Sequence, residues 1–288
     1  MINLFKICII GKYLFDVIKG GKVMSLKTNL VMIITMLLGE FFGLLNETLL
    51  TTALPSIMKD FHIQYSQVQW LTTAFLLTNG VVIPLSALVI QRFTTRQVFL
   101  TGILIFFVGT IVGGFSPNFT TLLFARIVQA LGSGIMMPLM MTSILDIFEP
   151  HERGKYMGFF GLVIGLAPAI GPTLSGYLVE YFNWRSLFHV VAPIAAITFI
   201  IALFTVKNVG QNIKVPIDVI SIILSILGFG GLLYGTSSIS HDGWDDPIVL
   251  STIIGGIILV VLFIWRQSRL DTLLLNFGVF KNKLFSDT

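Results

Sequence analysis

Three ionisable side chains stand within stretches that are otherwise mainly apolar. Glu40 and Glu47 lie in the stretch 29–51, and Arg126 lies in the stretch 120–144. Seven residues of α-helix turn through about 700°, so the two carboxylates share one helix face. A carboxylate that alternates between wet and dry surroundings can bind and release a proton, and a nearby guanidinium tunes its proton affinity. These residues are therefore candidates for proton coupling at a central cavity. A static buried ion pair is the alternative.

The composition indicates what kind of protein positions these side chains. Of the 288 residues, 55% are hydrophobic and 11% are charged, and the mean hydropathy is +0.92. A soluble domain is about 25% charged. A chain with so little charge cannot solvate a globule of this size, and it is too apolar to be disordered. A water-soluble enzyme is thereby excluded, and the composition predicts an all-α polytopic membrane protein.

Eight mainly apolar stretches have the length of about 20 residues that crosses a bilayer. They lie at 29–51, 69–90, 97–115, 120–144, 156–179, 186–206, 216–237 and 247–266. The sequence therefore predicts eight transmembrane helices joined by short loops.

Lysine and arginine are distributed unevenly between the two sides of these spans. Fifteen of the eighteen lie in the N-terminal segment, the second, fourth and sixth loops, and the C-terminal tail. Only Lys59 and Arg185 lie in the odd-numbered loops. The positive-inside rule then predicts a multi-pass protein of the cell membrane with both termini in the cytoplasm. The net charge of +4 is thus explained by topology rather than by nucleic-acid binding.

The first 23 residues mix lysines with apolar residues and lead to a second methionine, Met24. We expect Met24 to be the natural start and the preceding residues to be an upstream extension. A short amphipathic helix on the membrane surface is the alternative. A signal peptide is not favoured, because Lys12, Asp16 and Lys19 interrupt the apolar run.

The fifth span combines small residues at intervals of three or four with two prolines. Small residues let helices approach closely, and each proline removes a backbone hydrogen bond and can bend the helix. The pattern favours a gate or hinge over a packed, bent helix. The residues that carry it are Gly158, Gly165, Pro168, Gly171, Pro172 and Gly176.

Other polar residues carry weaker signals. The four histidines lie in loops or at span ends and form no ligand set, and the single cysteine, Cys8, excludes an intramolecular disulfide and a cysteine metal cluster. Asn79, midway along the second span, favours helix packing over substrate contact. No metal or cofactor is predicted.

The fifth span resembles the antiporter motif of the major facilitator superfamily, Gly-(x)8-Gly-(x)3-Gly-Pro-(x)2-Gly-Gly. It matches at Gly158, Gly171, Pro172 and Gly176. Within that superfamily the chain is similar to the fourteen-span drug:proton antiporters of the multidrug and lincomycin-resistance type.

Three further segments resemble motifs of that family. The first span resembles Leu-Asp-x-Thr, with Asn46 at the Asp position and Glu47 after it. The fourth span resembles Arg-x-x-Gln-Gly-x-Gly at Arg126 and Gln129. The loop after the second span keeps two of the family's basic residues, which imply a cytoplasmic gating loop formed by Arg92 and Arg96.

The resemblance implies an N-terminal bundle of six spans, built as two inverted three-span repeats, followed by two additional spans. We expect the chain to be truncated before a ninth span. The predicted parts are a cytoplasmic N-terminal segment (1–28), the six-span bundle (29–206), a cytoplasmic linker (207–215), the two additional spans (216–266) and a cytoplasmic tail (267–288).

The implied function is proton-coupled efflux of apolar or cationic drugs by antiport. Glu47, Arg126, Glu40, Asn46 and Gln129 would serve proton coupling at the central cavity. The proton gradient would supply the energy without a cofactor. The expected partners are the lipid bilayer, a hydrophobic small molecule, protons, and a C-terminal half or a second copy, but not nucleic acid.

Two alternatives stay open. One is a truncated remnant that inserts without transporting, or a half-transporter that needs a separate C-terminal half. The least favoured alternative is an intramembrane enzyme, because the sequence has no HExxH, no GxSxG and no phosphate-binding glycine loop.

Overall fold

The computed structural model describes residues 26–209 and 218–267. This part of the chain contains eight helices and no strand, and each helix is long and apolar enough to cross a membrane. The predicted all-α fold with eight spans is therefore confirmed. The helices are α1 (Leu26–Phe61), α2 (Tyr65–Arg92), α3 (Thr95–Gly114), α4 (Phe119–Ile147), α5 (Pro150–Tyr181), α6 (Arg185–Thr205), α7 (Val219–Asp242) and α8 (Pro247–Gln267).

Several helices extend beyond the predicted spans. Helix α1 continues ten residues past position 51, through Pro55, and α5 begins six residues before position 156. The predicted limits follow hydropathy, whereas a helix continues until a capping residue or an unfavourable backbone ends it. The N-terminal segment up to residue 25, most of the linker and almost all of the tail lie outside the described residues.

Polar capping residues allow very short turns between the helices. The Thr94 side chain accepts a hydrogen bond from the Gln97 backbone N–H at 3.2 Å, and only two residues separate the end of α2 from the start of α3. Asn118 caps α4 in the same way, through the Thr121 N–H at 2.9 Å. Each cap satisfies a backbone donor that the first helical turn leaves unpaired. The caps therefore let the chain reverse direction within a few residues.

The first six helices pack in a pattern that repeats. Helix α1 contacts α5 and α6, while α4 contacts α2 and α3. If α1, α2 and α3 are exchanged with α4, α5 and α6, the α1–α5 pair becomes α4–α2 and the α1–α6 pair becomes α4–α3, which are both observed. The α3–α6 and α1–α4 contacts are unchanged by this exchange. This pattern fits the two three-helix repeats that the resemblance implies.

Helices α7 and α8 form a hairpin that reaches the six-helix bundle through α2. At one end of the hairpin, the Arg266 guanidinium donates to both Asp218 carboxylate oxygens, at 2.7 and 2.9 Å. Hydrogen bonds from Arg266 lower the pKa of Asp218 to about 2, so this carboxylate is ionised at physiological pH. Ser221 and Gln267 extend this network between the two helices.

The backbones of α3 and α4 approach each other closely at glycine residues. A Cβ added at Gly109 would lie 2.7 Å from the Gln129 backbone nitrogen, and a Cβ at Gly132 would collide with the Gly102 carbonyl oxygen. Only glycine permits this approach, because any side chain would separate the two backbones. The contact brings the polar side chains of α3 and α4 within hydrogen-bond distance of each other.

An ion pair ties three parts of the bundle together at the end of α1. Asp60 Oδ2 accepts hydrogen bonds from Arg185 Nη1 at 2.8 Å and from Trp184 Nε1 at 3.1 Å. Arg185 Nη2 also donates to the Ser116 carbonyl oxygen at 3.2 Å. These bonds join α1, the loop between α3 and α4, and the start of α6. They hold the end of α1 beside the start of α6.

We expect Gly132→Ala to lower the free energy of unfolding by about 1–3 kcal/mol, because the new Cβ meets backbone atoms that cannot rotate away. Gly255→Ala on α8 is the matched control, since a Cβ there meets nothing within 4 Å. Thermal or denaturant unfolding in detergent measures both. Equal stability of the two variants would contradict the close α3–α4 contact.

Candidate functional site

A small cavity of about 50 Å³ lies between α1, α2 and α4. Its polar lining consists of Glu40 and Glu47 from α1, Asn79 from α2 and Ser133 from α4, and the remaining lining residues are apolar or glycine. Glu40 is almost fully buried, with 4% of its surface exposed, whereas Glu47 is half-buried. The two carboxylates thus open onto one cavity.

Glycines let the three helices come close enough to enclose this cavity. Gly43 lies between the two glutamates, and a Cβ there would be 3.5 Å from the Cβ of Ser133. A Cβ added at Gly134 would lie 2.9 Å from Asn79 Oδ1. The first distance is an ordinary van der Waals contact, whereas the second is too short, so a larger residue at Gly134 would push α2 away from α4.

Arg126 is fully buried and lies behind one wall of the cavity. Its guanidinium carbon is 4.0 Å from the ring centroid of Phe75, which lines the cavity. Its Nη1 donates to Gln129 Oε1 at 3.0 Å, and its Nε reaches the Leu71 carbonyl oxygen at 3.5 Å. No described residue accepts a hydrogen bond from its Nη2.

The static ion pair considered as an alternative is not formed in the described part of the chain. There, no carboxylate lies within ion-pair distance of Arg126. A guanidinium buried without a counter-ion is costly unless its donors are satisfied, and here one nitrogen is not. The arrangement leaves a free donor on the side chain that carries the positive charge.

A chain of hydrogen bonds from α3 orients this guanidinium. Gln129 Nε2 donates to Thr110 Oγ1 at 2.9 Å, and the Thr110 hydroxyl donates to the Phe106 carbonyl oxygen at 2.7 Å. The Gln129 amide therefore turns its oxygen toward Arg126. Sequence reasoning did not identify Thr110, because a threonine within a membrane helix usually bonds its own preceding turn and gives no further signal.

Asn46 and Glu47 have different surroundings, although they are consecutive in the chain. Asn46 is 2% exposed and does not line the cavity, and no described residue accepts a hydrogen bond from its Nδ2. Glu47 lines the cavity. In this chain the acidic residue that reaches the cavity is thus the one after the position that matches the family's Asp.

Helix α5 is fastened to α1 immediately beside Glu47. Gly171 is buried against Thr48, and a Cβ at Gly171 would collide with Thr48 Oγ1. One turn later, the Ser175 hydroxyl donates to the Leu49 carbonyl oxygen at 2.7 Å. A movement of α5 along this contact would therefore act on the helix turn that holds Glu47.

The other five residues of the predicted antiporter motif and hinge lie on the exposed face of α5. A Cβ added at Gly158, Gly165 or Gly176 would meet nothing within 4 Å, and Pro168 and Pro172 are also exposed. The motif therefore divides into one buried residue, Gly171, and a face that the described residues leave uncovered.

The two arginines of the predicted gating loop have different surroundings. Arg92 is exposed at the end of α2. Arg96 Nη2 donates to the Leu203 carbonyl oxygen at 2.8 Å, and its backbone N–H donates to Asn208 Oδ1 at 3.3 Å. Arg96 thus caps the last turn of α6, where carbonyl groups lack helical partners.

The described residues contain no group of three His, Cys, Asp or Glu side chains that could hold a metal ion. The polar groups that converge within the bundle are instead two carboxylates, an amide, a hydroxyl and a buried guanidinium. Such a set can bind and exchange protons or small cations.

Comparison with known proteins identifies the fold and the family. The sequence profile described as Major Facilitator Superfamily matches residues 36–280. The chain is 53% identical over 253 residues to the uncharacterized MFS-type transporter YcnB of Bacillus subtilis, covering 88% of this chain and 54% of that protein. It is 43% identical over 254 residues to the lincomycin resistance protein LmrB of the same organism, covering 88% and 53%.

The chain spans about half the length of these curated relatives. The crystal structure of the human organic anion transporter MFSD10 (TETRAN) superposes with a TM-score of 0.59 at 15% identity, covering 77% of this chain and 59% of that one. This likeness concerns the fold alone. The profile match covers most of the sequence, and it agrees with the repeated packing of α1–α6: the chain belongs to the Major Facilitator Superfamily.

Proposed function

We propose that this chain takes part in proton-coupled export of apolar and cationic small molecules across the cell membrane, with its termini in the cytoplasm. The observation that carries the proposal is the fully buried Arg126 with a free Nη2, set beside a cavity that holds two carboxylates. The relatives named for resistance to lincomycin and puromycin and for multidrug transport support a drug as the exported molecule.

The proposed coupling uses the difference between the two carboxylates. Glu47 is half-buried and lies where water can reach it when the cavity opens, whereas Glu40 is enclosed. When Glu47 is ionised, the free donor of Arg126 stabilises its charge at a distance through the low-dielectric interior. When Glu47 takes a proton, this attraction is lost. The bundle therefore has two charge states that can favour two conformations.

We propose that α5 passes this conformational change from α1 to a neighbouring helical bundle. Its contacts at Gly171 and Ser175 hold it to the α1 turn that carries Glu47. Its exposed glycine and proline face is proposed to pack against a second helical bundle, either from the C-terminal half of a longer chain, from a separate polypeptide or from a second copy. Small residues on this face would let that bundle approach and slide.

We expect Glu47→Gln and Arg126→Ala each to reduce proton-driven dye efflux at least tenfold, because each removes one of the two interacting charges. Efflux of a cationic dye by the full-length product of the gene, in cells with an imposed proton gradient, measures this. Glu180→Gln is the matched control, since Glu180 is an exposed carboxylate at the end of α5. Membrane insertion is checked for every variant. Unchanged efflux in both variants, or none in the unaltered protein, would contradict the proposal.

We expect Gly171→Ala to slow efflux severalfold, because its Cβ would push α5 away from Thr48. Thr48→Gly removes the colliding atoms, so the double variant should regain part of the lost rate. Comparing the two single variants with the double variant isolates this contact from other effects. If the efflux rate of the double variant falls by the product of the two single-variant factors, the contact does not transmit the change.

A further inference from the structure

We propose that the cavity between α1, α2 and α4 binds a monovalent metal cation of the size of Na+, through oxygen atoms of Glu40, Glu47, Asn79 and Ser133. Export of a drug is not required for this binding, so the proposal goes beyond the proposed function.

The cavity offers a set of oxygen ligands. All four polar side chains that line it carry oxygen, which is the ligand that hard cations prefer. The Ser133 hydroxyl donates a hydrogen bond to Asn79 Oδ1 at 3.3 Å, which holds these two oxygen atoms together at the wall of the cavity. Each of them keeps a lone pair that can accept a cation.

The buried carboxylate of Glu40 lacks a partner. Glu40 is 4% exposed and lines the cavity, and no described residue donates a hydrogen bond to it or to the half-buried Glu47. A buried, ionised carboxylate without a donor or a counter-ion is strongly unfavourable. A positive ion bound in the cavity removes this cost for Glu40 and also attracts Glu47.

The charge balance selects a monovalent ion. When both glutamates are ionised, they and the guanidinium of Arg126 behind Phe75 carry a net charge of −1, and among the described residues Glu40 and Glu47 are the titratable side chains that line the cavity. One monovalent cation neutralises the group, whereas Mg2+ or Ca2+ would leave an excess charge in a medium of low dielectric constant. A proton also supplies one positive charge, so protons and Na+ should compete for the site.

The size of the cavity is compatible with a small ion. Its volume of about 50 Å³ exceeds the roughly 10–15 Å³ that one water molecule needs by the same measure, so a partly hydrated monovalent ion fits.

The test is thermal unfolding of the purified full chain in detergent, with NaCl replaced by choline chloride at constant ionic strength. A ligand that binds only the folded state raises the midpoint by mass action. We expect NaCl to raise it, KCl to raise it less, and MgCl2 at matched ionic strength to have no effect beyond that of choline chloride. The apparent Kd for Na+ should weaken at least tenfold in Glu40→Gln and severalfold in Ser133→Ala, and stay unchanged in Glu180→Gln.

Three results would overturn the proposal. The first is an unfolding midpoint in NaCl equal to that in choline chloride. The second is an unchanged response to Na+ in Glu40→Gln, a variant whose cooperative melt in choline chloride shows that it folds. The third is stabilisation by Mg2+ above that by Na+, which would contradict the charge balance.

This experiment measures binding alone, so its outcome is independent of the efflux assay. Na+ stabilisation without dye efflux would retain the cation site and overturn the export function. Efflux without Na+ stabilisation would retain the export function and overturn the cation site.

Discussion

The Arg126 guanidinium is fully buried among helices, and only part of its hydrogen-bonding capacity is satisfied there. A charge in such surroundings is tolerated only when partners are held in place around it. The Phe75 ring provides one contact, and the Gln129 amide, itself fixed by Thr110, provides another. The close glycine contact between α3 and α4 places that threonine beside the glutamine. Contacts from α2, α3 and α4 thus combine to hold one buried guanidinium in place.

Helix α1 is the second element on which the candidate site depends. It carries both carboxylates, and it is fastened to α5 at Thr48 and Leu49 and to α6 near both of its own ends. Near the start of α1, Thr35 accepts a hydrogen bond from Thr205 at 3.1 Å, and at the other end Asp60 pairs with Arg185. Because α6 holds α1 near both ends, these two helices move together. The contact with α5, beside Glu47, is then the place where a displacement of α5 reaches this carboxylate.

The sequence predicts the eight helices because apolar stretches of membrane-spanning length are unambiguous, and it predicts that Glu40 and Glu47 share a face because helical geometry is regular. It does not predict that Asn79 and Ser133 meet in one cavity, since that depends on how α2 crosses α4. The interpretation of Asn79 as a packing residue is incomplete for this reason: it bonds Ser133 and also lines the cavity. The two faces of α5 could not be separated either, because small residues allow close packing wherever a neighbour happens to lie.

The most direct test of the central claim is the count of protons released when a cationic dye binds the purified full-length gene product in weakly buffered solution. We predict that the unaltered protein releases a proton from Glu47 on binding, and that Glu47→Gln binds dye without this release. Dye binding without any proton release, or an equal release by Glu47→Gln, would contradict the coupling of Glu47 to substrate.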